Sequence, residues 1–272
     1  MKAALIPPVA HLVDFCYESR FHLVLSHMLT NPDYRAFYRD QRLRGSFLIL
    51  DNGAHENTSG ESMMPLLTQA KSIRASEIVL PDTLFDCDAT IKGAEQALSF
   101  LLGPGQSIWM DAYPRFMLVP QGKTRQEWER CFEGLITAYQ MAAVARPDLF
   151  PHSVTIGVSK DYDAWEGGHY ALLQYLDVFH EWMTFDVHLL GWGRKLWVLN
   201  QLAHDFPWVR STDSAKPFVY ARAGLAVSPV MPIPPYPTRD PVYFDAVLGN
   251  EALRLAQHNV RVFREAAHDT SR

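Results

Sequence analysis

The fold is decided by the stretch Ser46–Gly53 (SFLILDNG), in which a short apolar run ends in two polar residues and a glycine. A nearly continuous apolar run of this length is typical of a strand that is buried on both faces. The same pattern recurs along the chain. The sequence therefore predicts strands at Ala3–Ile6, Ser46–Leu50, Glu77–Leu80, Phe116–Val119, Val154–Val158, Val187–Leu190, Trp208–Ser211 and Tyr220–Val227.

Stretches with apolar residues at helical spacing separate these runs. One begins with Thr124 and Glu127 in the arrangement of a capping box, with Thr124 as the N-cap. Alternating strands and helices favour a parallel sheet, and seven or eight units favour a closed barrel over an open doubly wound sheet. No GxGxxG motif follows the first strand, as a dinucleotide-binding sheet would require. The helices are predicted at Asp88–Leu102, Thr124–Ala143, Gly168–Met183 and Arg194–His204.

The 272 residues are expected to form one α/β domain, a single (β/α)8 TIM-like barrel over residues 1–272. Six prolines between Pro229 and Pro241 exclude a regular helix in that segment. They predict an extended strap that leads to a last helix near Asp245–Ala267. The segment after the strap is too short to fold alone, so no second domain is predicted.

Composition and charge fit an ordinary globular enzyme, with 48% hydrophobic and 20% charged residues. A net charge of -5 argues against a protein that coats nucleic acid, although a local basic groove is compatible with it. Cys16, Cys87 and Cys131 are far apart, so neither a disulfide framework nor a zinc site is predicted. Pro7 and Pro8 break the short N-terminal apolar run, which predicts a cytoplasmic protein without a membrane span.

Polar residues follow the ends of the predicted strands, among them Asp51, Asp82, Gln121 and Asp213. Because barrel strands open with their carboxyl ends on one face, these four side chains are expected to converge there. Three carboxylates and an amide suit either a metal site or a nucleophile with an acid/base group and a recognition pair. Each motif taken alone also suits a turn or a helix cap. Close approach of the backbone to a ligand is expected at Gly53, Gly122, Gly157, Gly191 and Gly193.

Six short motifs lie between Leu48 and Pro217. They are Asp51–Glu56 (DNGAHE), Leu80–Asp82 (LPD), Val119–Gly122 (VPQG), Ile156–Ser159 (IGVS), His188–Gly193 (HLLGWG) and Asp213 with Pro217. In kind and order they resemble the tRNA-guanine transglycosylase superfamily, most closely its DpdA-type phage and bacterial DNA 7-deazaguanine transglycosylases. The zinc site of the tRNA enzymes needs clustered cysteines near the C-terminus, and this chain has none after Cys131. The resemblance therefore implies DNA as the substrate, in the cytoplasm of a bacterium or a phage-infected host.

The resemblance implies a role for each matched residue. Asp213 would be the nucleophile that forms a covalent intermediate with the sugar, and Asp51 would donate and accept the proton. Asp82 would read the guanine edge, while Gln121 and the Gly157 backbone would bind the purine carbonyl. Guanine would be exchanged for a 7-deazaguanine base such as preQ0, without a cofactor or a metal. The implied substrate-binding residues are Asp82, Gln121, Gly122, Gly157 and Gly191.

A duplex hides the bond that breaks, so the target nucleotide is expected to be flipped out or single-stranded. Three alternatives stay open: the same exchange on tRNA or a free nucleoside, a catalytically inactive nucleic-acid-binding barrel in a modification complex, and a metal-dependent hydrolase. The hydrolase would need clustered histidines after the first strand, where only His11 stands. A homo-oligomer and a partner protein that opens DNA also stay open, and no membrane partner is expected. Contacts to phosphates are predicted for Lys123, Arg194, Lys195, Lys216 and Arg222.

Overall fold

A computed structural model describes residues 1–103, 114–150, 153–192, 195–231 and 242–270. Its strands are β1 (Lys2–Leu5), β2 (Phe21–Leu25), β3 (Phe47–Asp51), β4 (Glu77–Val79), β5 (Arg115–Leu118), β6 (Val154–Ser159), β7 (Phe185–Leu190) and β8 (Val209–Ser214). They form one sheet in the order β1-β8-β7-β6-β5-β4-β3-β2, and every strand pair whose register is described is parallel. With helices between the strands, this is the arrangement of a (β/α)8 TIM-like barrel, so the predicted fold class is confirmed.

Helices follow most of the strands. Within the described residues they are α1 (Leu12–Cys16), α2 (Pro32–Leu43), α3 (Ala54–Asn57), α4 (Met63–Ile73), α5 (Cys87–Leu102), α6 (Arg125–Ala145), α7 (Gly168–His180), α8 (Leu196–Asp205), α9 (Lys216–Arg222) and α10 (Asn250–Ala266). The five helices predicted from the sequence correspond to α5, α6, α7, α8 and α10. The strap predicted at Pro229–Pro241 falls mostly outside the described residues, since 232–241 are not among them.

The start of α6 confirms Thr124 as its N-cap. The Thr124 hydroxyl accepts a hydrogen bond from the Glu127 N–H at 3.2 Å. The Glu127 carboxylate turns back as in a capping box, but it accepts from the Lys123 N–H at 2.8 Å, one residue earlier than the usual partner. Both interactions satisfy backbone donors at a helix start, which fixes where α6 begins.

The sequence analysis missed β2, whose apolar pattern is interrupted by His22. The imidazole of His22 is fully buried, and its Nε2 lies 3.1 Å from the Ser19 carbonyl oxygen. Burial lowers the pKa of His22 to about 4, so the ring is neutral at pH 7 and packs like a core residue. A single polar residue, His22, thus interrupts the apolar pattern by which a buried strand is predicted.

The strand predicted at Tyr220–Val227 is wrong, because Tyr220 belongs to α9 and the chain leaves the helix after Arg222. Pro217 stands in the first turn of this short helix, where its missing N–H costs no hydrogen bond. The side chains from Lys216 to Ala221 are all buried, since α9 packs against α10. A short helix buried on all sides has the same apolar letters as a buried strand. β8 corresponds to the seventh predicted run, and the unpredicted β2 completes the eight strands.

The chain divides into two compact units. The first unit comprises Met1–Leu23, Asn31–Ser46 and His188–Arg272, and the second unit comprises Val24–Thr30 and Phe47–Val187. The prediction of a single domain over 1–272 stays a prediction. None of the helices in the described part of the chain is both long enough and apolar enough to cross a membrane.

In the first unit, Asn259 joins α10 to the segment around α9. Its Oδ1 accepts from the Val227 N–H at 2.8 Å, and its Nδ2 donates to the carbonyl oxygens of Pro217 (3.0 Å) and Leu225 (3.1 Å). The side chain is fully buried, so these bonds replace the water it gives up on folding. One amide therefore satisfies three backbone groups at the end of a short helix.

In the second unit, a charged cluster lies at the start of β4, β5 and β6. Glu77 is fully buried and accepts from the Thr155 hydroxyl at 2.8 Å. The guanidinium of Arg115 lies 3.6 Å from the Glu77 carboxylate and donates to the Asp186 carboxylate. Because this end of the strands lies opposite their carboxyl ends, the cluster belongs to the part of the fold that supports stability.

Candidate functional site

Asp213 lies near the carboxyl end of β8, and its side chain is almost completely buried. One carboxylate oxygen, Oδ1, accepts from the Gly191 N–H at 2.9 Å and from His188 Nε2 at 3.0 Å. The first unit therefore holds a carboxylate group in a single fixed orientation at a strand end.

The sequence analysis did not identify His188 and Ser211 as members of this cluster. His188 is fully buried on β7, and its Nδ1 lies 2.8 Å from the hydroxyl oxygen of Ser211. Ser211 precedes Asp213 by two residues on β8, so both side chains leave that strand on the same side. A polar residue every second position inside a strand was the available signal, because such residues share one face.

The end of β7 is tied to the end of β8 through the backbone. Gly191 has a positive φ of 70°, which a residue with a side chain rarely adopts, and this turn directs its N–H at Asp213. The next residue, Trp192, donates its N–H to the Asp213 carbonyl oxygen at 2.9 Å and accepts from the Ser214 hydroxyl. Gly191 thus contributes to the position of Asp213. Gly193 and Arg194 lie outside the described residues.

In the second unit, Asp82 is buried just past β4 and receives one amide hydrogen bond on each oxygen. Asn52 Nδ2 donates to Oδ1 and Gln121 Nε2 donates to Oδ2, both at 2.6 Å. Burial raises the pKa of Asp82 to about 6, and the two amide bonds offset part of that effect. Asp82 is therefore mostly ionised at pH 7 and largely protonated at pH 5.

The orientations of both side-chain amides follow from backbone N–H groups, which can only donate and must therefore meet the amide oxygen. Gln121 Oε1 accepts from the Phe85 N–H at 3.1 Å and from the Tyr162 hydroxyl at 2.7 Å, so its nitrogen must face Asp82. Asn52 Oδ1 likewise accepts from the N–H of Ala54 at 2.9 Å. Among the described residues, Gln121 Nε2 has a single acceptor, so one of its two N–H groups makes no hydrogen bond there. The sequence analysis missed Asn52 and Tyr162.

Asp51 ends β3 and shapes the turn that follows it. Its Oδ2 accepts from the Gly53 N–H at 3.1 Å, which is the geometry of an Asx turn, and Gly53 has a positive φ of 74°. The Asp51 side chain is half-buried, so it is accessible to solvent. Four residues after Asp51, in α3, His55 Nε2 lies 3.4 Å from Lys160 Nζ, just past the end of β6. Asp51 thus has a turn-forming role, and its predicted role in proton transfer stays a prediction.

Gly122 is required for packing. A Cβ atom at this position would lie 2.5 Å from the Trp128 backbone nitrogen and 2.9 Å from the Glu127 carbonyl carbon. Only a glycine lets this loop pass so close to the start of α6. Gly157 is buried inside β6, the strand that pairs with β5. The glycine at 122 is therefore explained by helix packing, and substrate contacts of both glycines stay predictions.

The basic residues predicted to contact phosphate have different surroundings. Lys123 is exposed in the loop before α6, and Lys195 is the N-cap residue of α8. Lys216 is buried, and its Nζ lies 5.6 Å from the centre of the Tyr220 ring in a cation–π contact. Arg222 ends α9. Burial of Lys216 makes it a poor phosphate ligand, whereas Lys123 is accessible.

The first cluster contains a serine, a histidine and an aspartate, but it cannot work as a serine hydrolase. Ser211 is fully buried in the body of β8, two residues further from the strand end than Asp213, and its hydroxyl is hydrogen-bonded to Arg210 and His188. Over the described residues, no group of three or more histidine, cysteine, aspartate or glutamate side chains is arranged to hold a metal ion. Within the cluster of Ser211, His188 and Asp213, Asp213 is the residue that lies near a strand end and has a side chain suited to nucleophilic attack.

No protein-family model matches the chain, and no curated protein is similar to it. The functional proposal therefore rests on residues of this chain.

Proposed function

We propose that this protein is a guanine transglycosylase that exchanges guanine in DNA for a 7-deazaguanine base through a covalent intermediate on Asp213. The observation that carries the proposal is the Asp213 carboxylate, buried near a strand end with Oδ1 fixed by Gly191 and His188. A nucleophile gains from a fixed orientation because less freedom is lost in the transition state. The substrate places the reaction in the cytoplasm of a bacterium or an infected host.

The exchange takes two displacement steps at the anomeric carbon. In the first, a lone pair of Asp213 forms a C1′–O bond while the C1′–N9 bond breaks and its electron pair leaves with guanine. Asp51 gives the departing guanine a proton. In the second, the incoming 7-deazaguanine returns a proton to Asp51, and its N9 lone pair displaces the Asp213 carboxylate from C1′. Both carboxylates regain their starting states, so no external co-reactant is needed.

Recognition of the base is assigned to the Asp82 network. An ionised Asp82 accepts from the guanine N1–H and amino group, and the remaining N–H of Gln121 donates to the O6 carbonyl. Adenine lacks the matching donors and would leave a buried carboxylate without compensation. Because burial raises the pKa of Asp82 to about 6, protonation below that pH removes the acceptor. Base binding is therefore expected to weaken as the pH falls through 6.

The direct test is base exchange with radiolabelled guanine or preQ0. DNA and tRNA are offered separately to the wild-type protein, to Asp213→Asn and to Asp40→Asn, a matched control on the exposed face of α2. We expect label in DNA, a loss of about 10³-fold or more in Asp213→Asn, and full activity in the control. A denaturing gel should show protein-linked DNA for the wild type and Asp40→Asn, and none for Asp213→Asn.

Other outcomes change the proposal in defined ways. Label that enters tRNA alone keeps the chemistry and replaces the substrate. Label that enters DNA equally with Asp213→Asn removes Asp213 as the nucleophile. No label with either nucleic acid, from a folded protein, overturns the transglycosylase and favours a nucleic-acid-binding barrel.

A further inference from the structure

We propose that His188 is a positioning residue for Asp213, held as the neutral tautomer that carries its proton on Nε2. The inference rests on the proposed function, because it assigns how the nucleophile is oriented. It goes beyond that function because it names the residue, the proton and the carboxylate oxygen involved. The observations that carry it are three contacts in a row across β8 and β7, from Arg210 to Ser211, from Ser211 to His188 and from His188 to Asp213.

The direction of the hydrogen bonds can be derived from the first of these contacts. Arg210 Nε carries a hydrogen and no lone pair, so at 3.3 Å it donates to the Ser211 hydroxyl oxygen. Because Ser211 is fully buried, a hydroxyl hydrogen without an acceptor would be costly, so the hydroxyl donates it to the atom 2.8 Å away, which is His188 Nδ1. Nδ1 is then an acceptor without a proton, and the proton of the neutral ring must stand on Nε2.

A proton on Nε2 is the arrangement that the carboxylate requires. At 3.0 Å the Nε2–H donates to Asp213 Oδ1, which also accepts from the Gly191 N–H. The other tautomer would turn a lone pair toward an ionised oxygen and would repel it.

The two donors act on one oxygen only. Within the described part of the chain, Asp213 Oδ2 receives no hydrogen bond, and the Asp213 carboxylate forms no polar contact beyond those given above. Donors on Oδ1 fix the plane of the carboxylate and leave the lone pairs of Oδ2 for the bond to C1′. The geometry points to Oδ2 as the attacking atom and to His188 as the group that presents it.

Phe21 packs beside the imidazole and fixes its place. The two ring centres are 6.4 Å apart, and the Arg210 guanidinium lies 5.6 Å from the centre of the Phe21 ring. The Lys2 ammonium lies 5.8 Å from the same ring. The imidazole is therefore held by packing and by hydrogen bonds at both nitrogens, as a positioning residue must be.

The first measurement reads the tautomer by nitrogen-15 NMR of the protein labelled at its histidines. The His188 signals are assigned as those missing from His188→Gln. We expect an unprotonated Nδ1 and a protonated Nε2 in the wild type at pH 7. A ring protonated on both nitrogens, or on Nδ1 alone, would overturn the assignment whether or not the protein exchanges bases.

The second measurement compares base exchange by the wild type, His188→Gln, His188→Leu and Thr212→Val. The amide nitrogen of glutamine can replace the Nε2–H donor, and leucine cannot. Thr212 also forms a buried hydrogen bond, to the Leu189 carbonyl oxygen at 2.9 Å, but from the opposite face of β8, so its variant controls for general loosening. We expect kcat to fall about 10²-fold in His188→Leu with KM nearly unchanged, and to recover in His188→Gln to within about 10-fold of the wild type.

The outcomes separate this inference from the function on which it rests. An active wild type with equal kcat for His188→Leu and Thr212→Val removes the positioning role of His188 and leaves the transglycosylase intact. Equal losses in His188→Gln and His188→Leu would also remove it, since the donor would then be irrelevant. A wild type that exchanges no base overturns the function itself.

Discussion

Exchange of Asp82 for asparagine should change how the stability of the protein depends on pH. Burial raises the pKa of Asp82 from an ordinary 3.8 to about 6 in the folded protein. Because folding raises this pKa, the protonated form binds its proton more tightly in the folded state. The resulting stability is fully present below the pKa of the unfolded chain and is lost as the pH rises through 6. The whole difference is about 3 kcal/mol, and nearly half of it develops between pH 7.5 and pH 5.

The assay is urea unfolding of the wild type and Asp82→Asn at several pH values between about 5 and 7.5. Asparagine does not ionise, so its own contribution is the same at every pH. Its amide nitrogen would face the donor of Asn52 or Gln121, which costs about 1 kcal/mol throughout. The free energy of unfolding of the wild type, minus that of the variant, should therefore increase by about 1 to 2 kcal/mol as the pH falls to 5.

In the difference between the two free energies of unfolding, the pH-dependent contributions of the carboxylates that both proteins share cancel. Asp40→Asn is the control, since it removes an exposed carboxylate on α2. A difference for Asp82→Asn that does not change with pH would refute the reasoning. It would mean that the two amide hydrogen bonds outweigh the burial of the carboxylate, so that Asp82 is already ionised at pH 5.

Two further predictions concern stability, and both are measured by urea unfolding. Arg115→Met removes the cation beside the buried Glu77 and should cost about 2 to 4 kcal/mol. Arg130→Met breaks an exposed ion pair with Asp88 and should cost much less, so equal costs would contradict this. Gly122→Ala should cost about 2 kcal/mol or more, because the new methyl group would overlap backbone atoms at the start of α6. Gly93→Ala is its control within α5, where the nearest atom is 3.4 Å away, and should gain up to about 1 kcal/mol.

The strands could be predicted where burial on both faces leaves a run of apolar letters, as in β3 and β6. The same rule fails in two ways. It misses β2, because a neutral His22 can be buried once its ring nitrogen meets a carbonyl oxygen. It also assigns a strand to the end of α9, because a helix that is buried on all sides has no polar face and so lacks the 3.6-residue pattern by which a helix is recognised.

The candidate site was predicted only in part. Asp82, Gln121 and Asp213 follow strand runs, so the rule that sites form at strand ends finds them. Asn52 and His188 were missed for different reasons. Asn52 follows Asp51 in a sequence that reads as a turn, and His188 lies inside a strand whose neighbour supplies its partners. Register between strands places Ser211 and Asp213 beside His188, and local sequence does not encode that register.

The polar residues at the strand ends differ in what their side chains do. Thr124, Ser159 and Asp86 cap helical segments, and Asp51 closes a turn, so local structure accounts for each of them.

Asp82 and Asp213 cap no helix and close no turn, although burial of a carboxylate is costly. Their hydrogen-bond donors come from other strands and loops, which means that the surrounding fold maintains them. Perturbed and buried carboxylates concentrate at functional sites because chemistry needs groups that folding alone would avoid. If Asp213→Asn unfolds as the wild type does and yet loses base exchange, Asp213 serves the reaction. If it loses stability and leaves activity intact, Asp213 is a structural group and the nucleophile must be sought elsewhere.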